Sequence, residues 1–191
     1  MSFDELGLHA SLLKGIHDLG YTRPTPVQAE AIPAILTGRD VIACAQTGTG
    51  KTAAFVLPVL HRLLSNPSTK KGLRALIVAP TRELAIQSMD HLKNLSRYVH
   101  LIGHPIFGGV PMNPQIRALA QGIDIISATP GRLLDHVYEG RIDFGALTAR
   151  RRQLRPRRRR GGPEAHGHDL QLGAAVRRTA PIQLLVALVE A

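Results

Sequence analysis

Apolar and polar positions along the chain follow two alternating rhythms. Leu6, Leu12, Leu13, Ile16 and Leu19 recur at near-helical spacing, which predicts an amphipathic helix over residues 5–19 ended by Gly20. Tyr21-Thr22-Arg23-Pro24-Thr25-Pro26 is a rigid turn, because each proline fixes φ and removes a backbone donor. Thr25 can cap a helix that has Pro26 at its first position and runs to Leu36. Asp40 to Ala43 reads as a short apolar strand, Lys51 to Leu64 as a helix, and residues 65–72 as a polar surface loop. Strands follow at Ala75–Ala79, 101–107 and Ile123–Ser127, and helices at Thr81–Arg97, Asn113–Ala120 and Arg132–Tyr138. Strands alternating with helices predict an α/β fold, a parallel sheet with helices on both faces.

That rhythm stops near Thr148. Arg150-Arg151-Arg152-Gln153-Leu154-Arg155-Pro156 and Arg157 to Arg160 form a block of like charge without periodicity, for which disorder is expected. Residues 182–189 are apolar and fit either one strand or two helical turns. The chain thus divides into an ordered unit, 1–148, and an Arg-rich irregular tail, 149–191. The tail also changes the meaning of the net charge of +10. Residues 1–149 hold 14 Lys and Arg against 11 Asp and Glu, whereas residues 150–191 hold 10 Arg against 3 acids. A basic balance often marks nucleic-acid binding, but here most of the excess lies outside the ordered unit.

Apolar residues make up 44% of the chain and aromatics 4%, with no Trp, so the core must be aliphatic. Cys44 is the only cysteine, which excludes an internal disulfide or a thiolate metal cluster and suits a reducing compartment. Met1-Ser2-Phe3-Asp4-Glu5 lacks the basic-then-apolar pattern of a signal peptide, and no apolar run approaches the roughly 20 residues of a membrane span. A soluble, cytoplasmic protein without membrane partners is expected. His166-Gly167-His168 has no third ligand, so a metal site there is not expected.

The chemistry concentrates in Ala45-Gln46-Thr47-Gly48-Thr49-Gly50-Lys51-Thr52, a phosphate-cradling P-loop. Gly48 and Gly50 allow the tight turn that points backbone N–H groups at phosphates. The N-terminus of the following helix adds its positive dipole end. Lys51 supplies a point charge for the β- and γ-phosphates, and the Thr52 hydroxyl is placed to ligate Mg²⁺ with the nucleotide. A chance Gly-rich turn is the bland alternative. The expected strand before the loop and helix after it decide for function.

With its neighbours, this loop resembles motif I of the DEAD-box RNA helicases. Gly20-Tyr21-Thr22-Arg23-Pro24-Thr25-Pro26-Val27-Gln28 resembles that family's Q motif, with Phe3 at the place of its isolated upstream aromatic. Pro80-Thr81-Arg82-Glu83-Leu84-Ala85 resembles motif Ia, Gly108-Gly109 its GG doublet, and Thr129-Pro130-Gly131-Arg132 motif Ib. The likeness covers residues 2–148, and its wording is closest to the bacterial RhlE-type group. It implies a RecA-like P-loop domain that binds ATP and Mg²⁺. It also implies contacts from Phe3, Tyr21, Arg23 and Gln28 to the nucleotide, and a grip on the RNA backbone by Pro80, Thr81, Arg82, Gly108, Gly109, Thr129, Pro130, Gly131 and Arg132.

Residue chemistry agrees. The Gln28 amide has the donors and acceptor to read the adenine edge, and Tyr21 offers a ring face for stacking. Phe3 fits core packing as well as it fits a ligand contact. Thr81-Arg82 and Gly131-Arg132 each open a helix just after a strand, where backbone N–H groups and Arg make phosphate sites. Binding there would be sequence-independent and salt-sensitive. The bland alternative makes Arg82 and Arg132 solvated surface charges, and Cys44 reads as a small core residue.

The resemblance breaks at motif II. Its Asp-Glu-Ala-Asp should fall at 154–157, where Leu154-Arg155-Pro156-Arg157 stands, and no Asp or Glu occurs between Asp143 and Glu164. Hydrolysis needs an Asp for Mg²⁺ and a carboxylate to orient water. Motif III is missing as well; Ser127-Ala128-Thr129 spells its Ser-Ala-Thr but belongs to the strand ahead of motif Ib. The second RecA-like domain has no counterpart. The Arg, Gly, Pro and Ala of the tail are what a GC-rich coding region yields out of frame, so the domain is expected to be incomplete at its C-terminal end, catalytically incompetent and marginally stable. The other function class open to it is a non-enzymatic RNA-binding protein that uses the basic tail and a partial RNA groove.

Overall fold

The structure is a computed structural model that describes residues 1–68, 72–142 and 144. It contains six α-helices, α1 (Ala10–Asp18), α2 (Pro26–Leu36), α3 (Lys51–Ser65), α4 (Arg82–Leu95), α5 (Asn113–Gln121) and α6 (Pro130–Tyr138). Three strands, β1 (Ala75–Val78), β2 (Gly103–Ile106) and β3 (Ile125–Ala128), form a parallel sheet in the order β1-β3-β2. In register, Val78 and Ile106 both stand opposite Ala128, so all three strands end together. The ladder continues one step further, where Ala79 donates to the Ala128 carbonyl and Thr129 to that of Ile106, both at 2.9 Å.

The pleat sends alternate side chains to two cores. Ala75, Ile77 and Ile125 join α1, α2, α3 and α4 in one cluster that includes Leu12, Ile16, Ile32, Leu57, Leu60, Met89 and Leu92. Leu76, Ile126, Ala128 and Ile106 face the other way, against Leu133 and Leu134 of α6 and Phe144. Helices therefore cover both faces of the sheet, as the alternation of elements predicts. The first core also fixes how closely α1 and α4 approach. A Cβ on Gly15 would stand 2.7 Å from the Leu95 carbonyl oxygen, so only glycine fits there.

Two expectations need correction. The single helix over 5–19 is broken: a short 3₁₀ turn at Asp4–Leu6 precedes α1, and Gly7 between them has φ of +69°. The strand at Asp40–Ala43 is not formed. A strand requires ladder partners, and among the described residues none lies beside it. Ile42 is 91% exposed as a result, and Cys44 is exposed rather than packed in the core. β1, too, has no strand on its outer edge among the described residues. The Arg-rich segment, His166, His168 and residues 182–189 lie outside the described residues. No helix of the described residues is long and apolar enough to cross a membrane.

Candidate functional site

The C-terminal end of α3 is tied to the start of β1. Arg74 donates to the carbonyl of Leu63 at 2.8 Å and to that of Asn66, and it is 9% exposed. α3 packs with β1 residues Ala75 and Ile77 in the first core, and by the general geometry of α/β folds a helix preceded by a phosphate loop is expected near the C-terminal ends of the strands. That is the edge at which parallel α/β sheets bind ligands.

Within the loop, Gly48 and Gly50 have φ of +80° and +85°, the left-handed turn that their sequence positions predict. Around Gly48 the space is open, since an added Cβ would have no atom within 4 Å. The Lys51 ammonium donates to the carbonyls of Ala45 and Gln46, and the Thr49 hydroxyl donates to Gln46 at 2.7 Å. Lys51 is thereby held over the loop it serves. The Gly-lined turn, this lysine and the α3 N-terminus suit a triphosphate. For Mg²⁺ the fit is partial: Thr52 offers a hydroxyl, but no cluster of carboxylates able to hold a metal occurs among the described residues.

Gln28 joins the two halves of this site. It is buried, its Oε1 accepts from the Thr25 amide at 3.0 Å, and its Nε2 donates to the Gly50 carbonyl at 3.1 Å. One amide proton and one lone pair remain for a base edge. Tyr21 is 36% exposed and stacks on Phe3 with ring centroids 6.3 Å apart. Phe3 itself is 1% exposed, so the face left for a base is that of Tyr21 and Phe3 backs it. Arg23, two residues after Tyr21, is exposed.

The second cluster gathers where the three strands end. Thr81 caps α4, accepting from the Leu84 amide at 3.3 Å, and leaves Arg82 at the first helical position. Arg82 is exposed, 3.4 Å from Glu83, and its guanidinium lies 5.9 Å from the Phe107 ring centroid. An ion pair that exposed is worth little, so Arg82 is free to reach a ligand. Gly108 and Gly109 follow β2, are exposed, and Gly109 comes within 4.0 Å of the Arg82 Nη1 if given a Cβ. Thr129 precedes α6, which begins at Pro130, two residues earlier than Arg132 suggests.

Arg132 corrects the surface-charge alternative. Both of its terminal nitrogens donate to the Val110 carbonyl, at 3.2 and 3.1 Å, while Nε lies 3.5 Å from Asp135. Its side chain is 12% exposed. Two partners of this loop escape sequence reasoning. Gln115, on α5, donates to the Phe107 carbonyl at 2.9 Å, and His136, fully buried on α6, lies 3.1 Å from Gln115 Oε1. The available signal was the spacing of Arg132 and His136, which puts both on one face of α6.

Burial, with Arg141 and Arg132 nearby, holds the His136 imidazole below its ordinary range, and burial does the same for His61, His91 and His104. A folded-state value depressed below about 6.5 contributes stability that is complete above that pH and is lost as pH falls through the folded value. Thermal melts are therefore expected to be flat from about pH 7 to 8 and to move to lower temperature below about pH 6. Melting that improved on mild acidification would contradict this arrangement.

Comparison with known proteins shows the family. A family model described as DEAD/DEAH box helicase matches residues 25–153. The ATP-dependent RNA helicase DeaD of Escherichia coli is 46% identical over 148 residues, 77% of this chain and 23% of that protein. The DEAD-box ATP-dependent RNA helicase RhpA of Helicobacter pylori is 45% identical over 141 residues, covering 74% and 28%. A probable ATP-dependent RNA helicase, ddx27 of Dictyostelium discoideum, is 47% identical over 136 residues, covering 71% and 17%. The chain spans about a quarter or less of the length of these relatives.

Proposed function

The chain belongs to the DEAD/DEAH box helicase family, and from that premise we propose that residues 1–148 are the ATP-binding part of an RNA helicase of the RhlE-type group. The observation that carries the reading is the Gln28–Gly50 hydrogen bond. It puts the one buried amide able to read adenine in direct contact with the phosphate cradle. Tyr21 supplies the stacking face, Arg23 follows two residues later, and Ala45 to Thr52 take the phosphates. Bound ATP with Mg²⁺ would supply the transferable phosphoryl group, Thr52 holding the metal with the nucleotide. RNA lies along the strand-end edge, its backbone held by Thr81, Arg82, the Gly108-Gly109 turn and the α6 N-terminus. A cytoplasmic location suits the single, exposed Cys44.

In the full-length family member, hydrolysis is coupled to RNA remodelling. This chain has no acid at 154–157 to aim water or hold the metal, and we infer that it binds nucleotide without turning it over. A fluorescent ATP analogue is expected to bind. Lys51→Ala should weaken that binding by more than about tenfold, because a charge-assisted phosphate contact is lost. RNA-stimulated phosphate release that disappeared in Lys51→Ala would overturn the proposed incompetence.

The charge distribution favours one alternative, a non-enzymatic RNA-binding protein acting through its basic tail. Truncation after residue 148 separates the two. If the tail is only an electrostatic surface, its loss lowers RNA affinity equally for every sequence and flattens the salt dependence. A sequence preference that vanishes with the tail would favour the alternative.

A further inference from the structure

We propose that Gln115 and His136 are positioning residues that aim the Gly108 amide at an RNA phosphate. The proposal rests on the RNA-backbone reading given above and adds a means by which the loop after β2 is held in shape. Residues 107–110 carry no secondary structure of their own, and two side chains grip their carbonyls from below. Gln115 holds Phe107 and Arg132 holds Val110, one on either side of Gly108-Gly109.

The direction of the grip matters. In a trans peptide, C=O and N–H point to opposite sides, and every peptide of the described chain is trans. Drawing the Phe107 carbonyl toward Gln115 therefore turns the Gly108 N–H away from Gln115. Outward lies open space: an added Cβ on Gly108 would have no atom within 4 Å. Arg82 closes one side of that space, its Nη1 being 4.0 Å from a Cβ placed on Gly109. An exposed amide beside an exposed guanidinium is a seat for one phosphate. At Val110 the next residue is Pro111, which has no N–H, so Arg132 fixes the loop exit without orienting a second donor.

The Phe107 carbonyl selects the orientation of the Gln115 amide, and His136 anchors its other end. Nε2 of Gln115 is the donor to Phe107, so Oε1 faces His136 and must accept from it. His136 is therefore the tautomer with its proton on Nε2. Its Nδ1 is buried without a partner, which an unprotonated nitrogen bears at less cost than an N–H would. A flip of the Gln115 amide would set an oxygen against the Phe107 carbonyl, which has no proton to give, so only the observed orientation satisfies that carbonyl while the His136 N–H holds Oε1 in place.

The test uses the full 191-residue chain, labelled with ¹⁵N, and a short oligouridylate. In the wild type the amides of Gly108 and Arg82 should shift on titration. Gln115→Met and His136→Leu should lose the Gly108 shift and weaken RNA binding by roughly tenfold, with affinity for a fluorescent ATP analogue unchanged. His136→Gln, which keeps a donor at the Nε2 position, should restore the shift. Gln115→Leu also removes the donor to Phe107 and should lose the shift as well, which keeps the test open should Gln115→Met fold poorly. The shift at one named amide is insensitive to whatever the basic tail binds. A folded Gln115→Met or Gln115→Leu protein with a wild-type Gly108 response overturns the positioning role while leaving the RNA reading in place. A wild type in which neither Gly108 nor Arg82 responds overturns both.

Discussion

Replacing Gly50 with alanine is expected to lower stability by about 2–4 kcal/mol and, on the proposed reading, to weaken ATP binding well beyond tenfold. Two independent costs combine. At φ of +85° a Cβ is strained, which costs about 1–2 kcal/mol. The same Cβ would stand 2.4 Å from Gln28 Nε2. A long polar side chain usually swings clear of such a contact, but Gln28 is buried and held at both ends of its amide. Moving it gives up two hydrogen bonds, each worth about 1 kcal/mol. Gly48→Ala is the informative control, since Gly48 has a similar φ of +80° but open space around it. Only the strain term should remain there. Equal melting temperatures for the two variants would show that the Gln28 contact has no energetic weight.

That contrast marks what the sequence could and could not disclose. The P-loop pattern predicts left-handed glycines at 48 and 50, and both are observed. The resemblance to the Q motif implies a nucleotide contact for Gln28. Nothing in either pattern says that the two touch, because the contact is a tertiary fact spanning 22 residues. Capping chemistry also served: α2 starts at Pro26, as Thr25 and the proline at the first position predict, and ends at Leu36. Pattern failed at Asp40–Ala43, where an apolar β-prone run has strand composition but lacks neighbours with which to pair. Strand propensity is largely a measure of fit to a sheet, and without the sheet it decides little. The loop after β2 was legible as Gly108-Gly109 but not as a supported structure. Gln115 and His136 belong to different helices and carry no motif. Arg132 was legible as an Arg at a helix start, whereas its burial against Val110 was not.

Arg74→Met should be the most destabilising change away from the nucleotide site, at about 2–4 kcal/mol. Methionine keeps the apolar stem and loses the guanidinium. The Leu63 and Asn66 carbonyls, unpaired at the end of α3, then have no donor. Asp124 loses the partner 3.7 Å away. A fully buried pair broken in this way costs about 3–5 kcal/mol, but the Asp124 side chain is 26% exposed, so water recovers part of that. In a domain of this size the melting temperature should fall by about 10 °C. A denaturation midpoint that dropped with an unchanged m value would locate the loss in the folded state. A change below about 0.5 kcal/mol would show that the guanidinium is dispensable and that backbone hydrogen bonds from Arg74 and Ala75 to Asp124 suffice.

The strand order carries a consequence for how the chain acquires its structure. β3 lies between β1 and β2, yet it is the last of the three to leave the ribosome. Until Ile125–Ala128 is available, Ala75–Val78 has no partner in the observed sheet, and neither has Gly103–Ile106. The first 65 residues can build α1, α2 and α3 and begin to bury their shared leucines and isoleucines. The sheet must then close in one late step, across long loops whose entropy opposes it. During that interval two short strands, the apolar β1 and the mixed β2, wait with unpaired backbone. Assembly is thus gated by a single central strand, and any pause in synthesis before residue 125 prolongs the most aggregation-exposed phase of the chain's life.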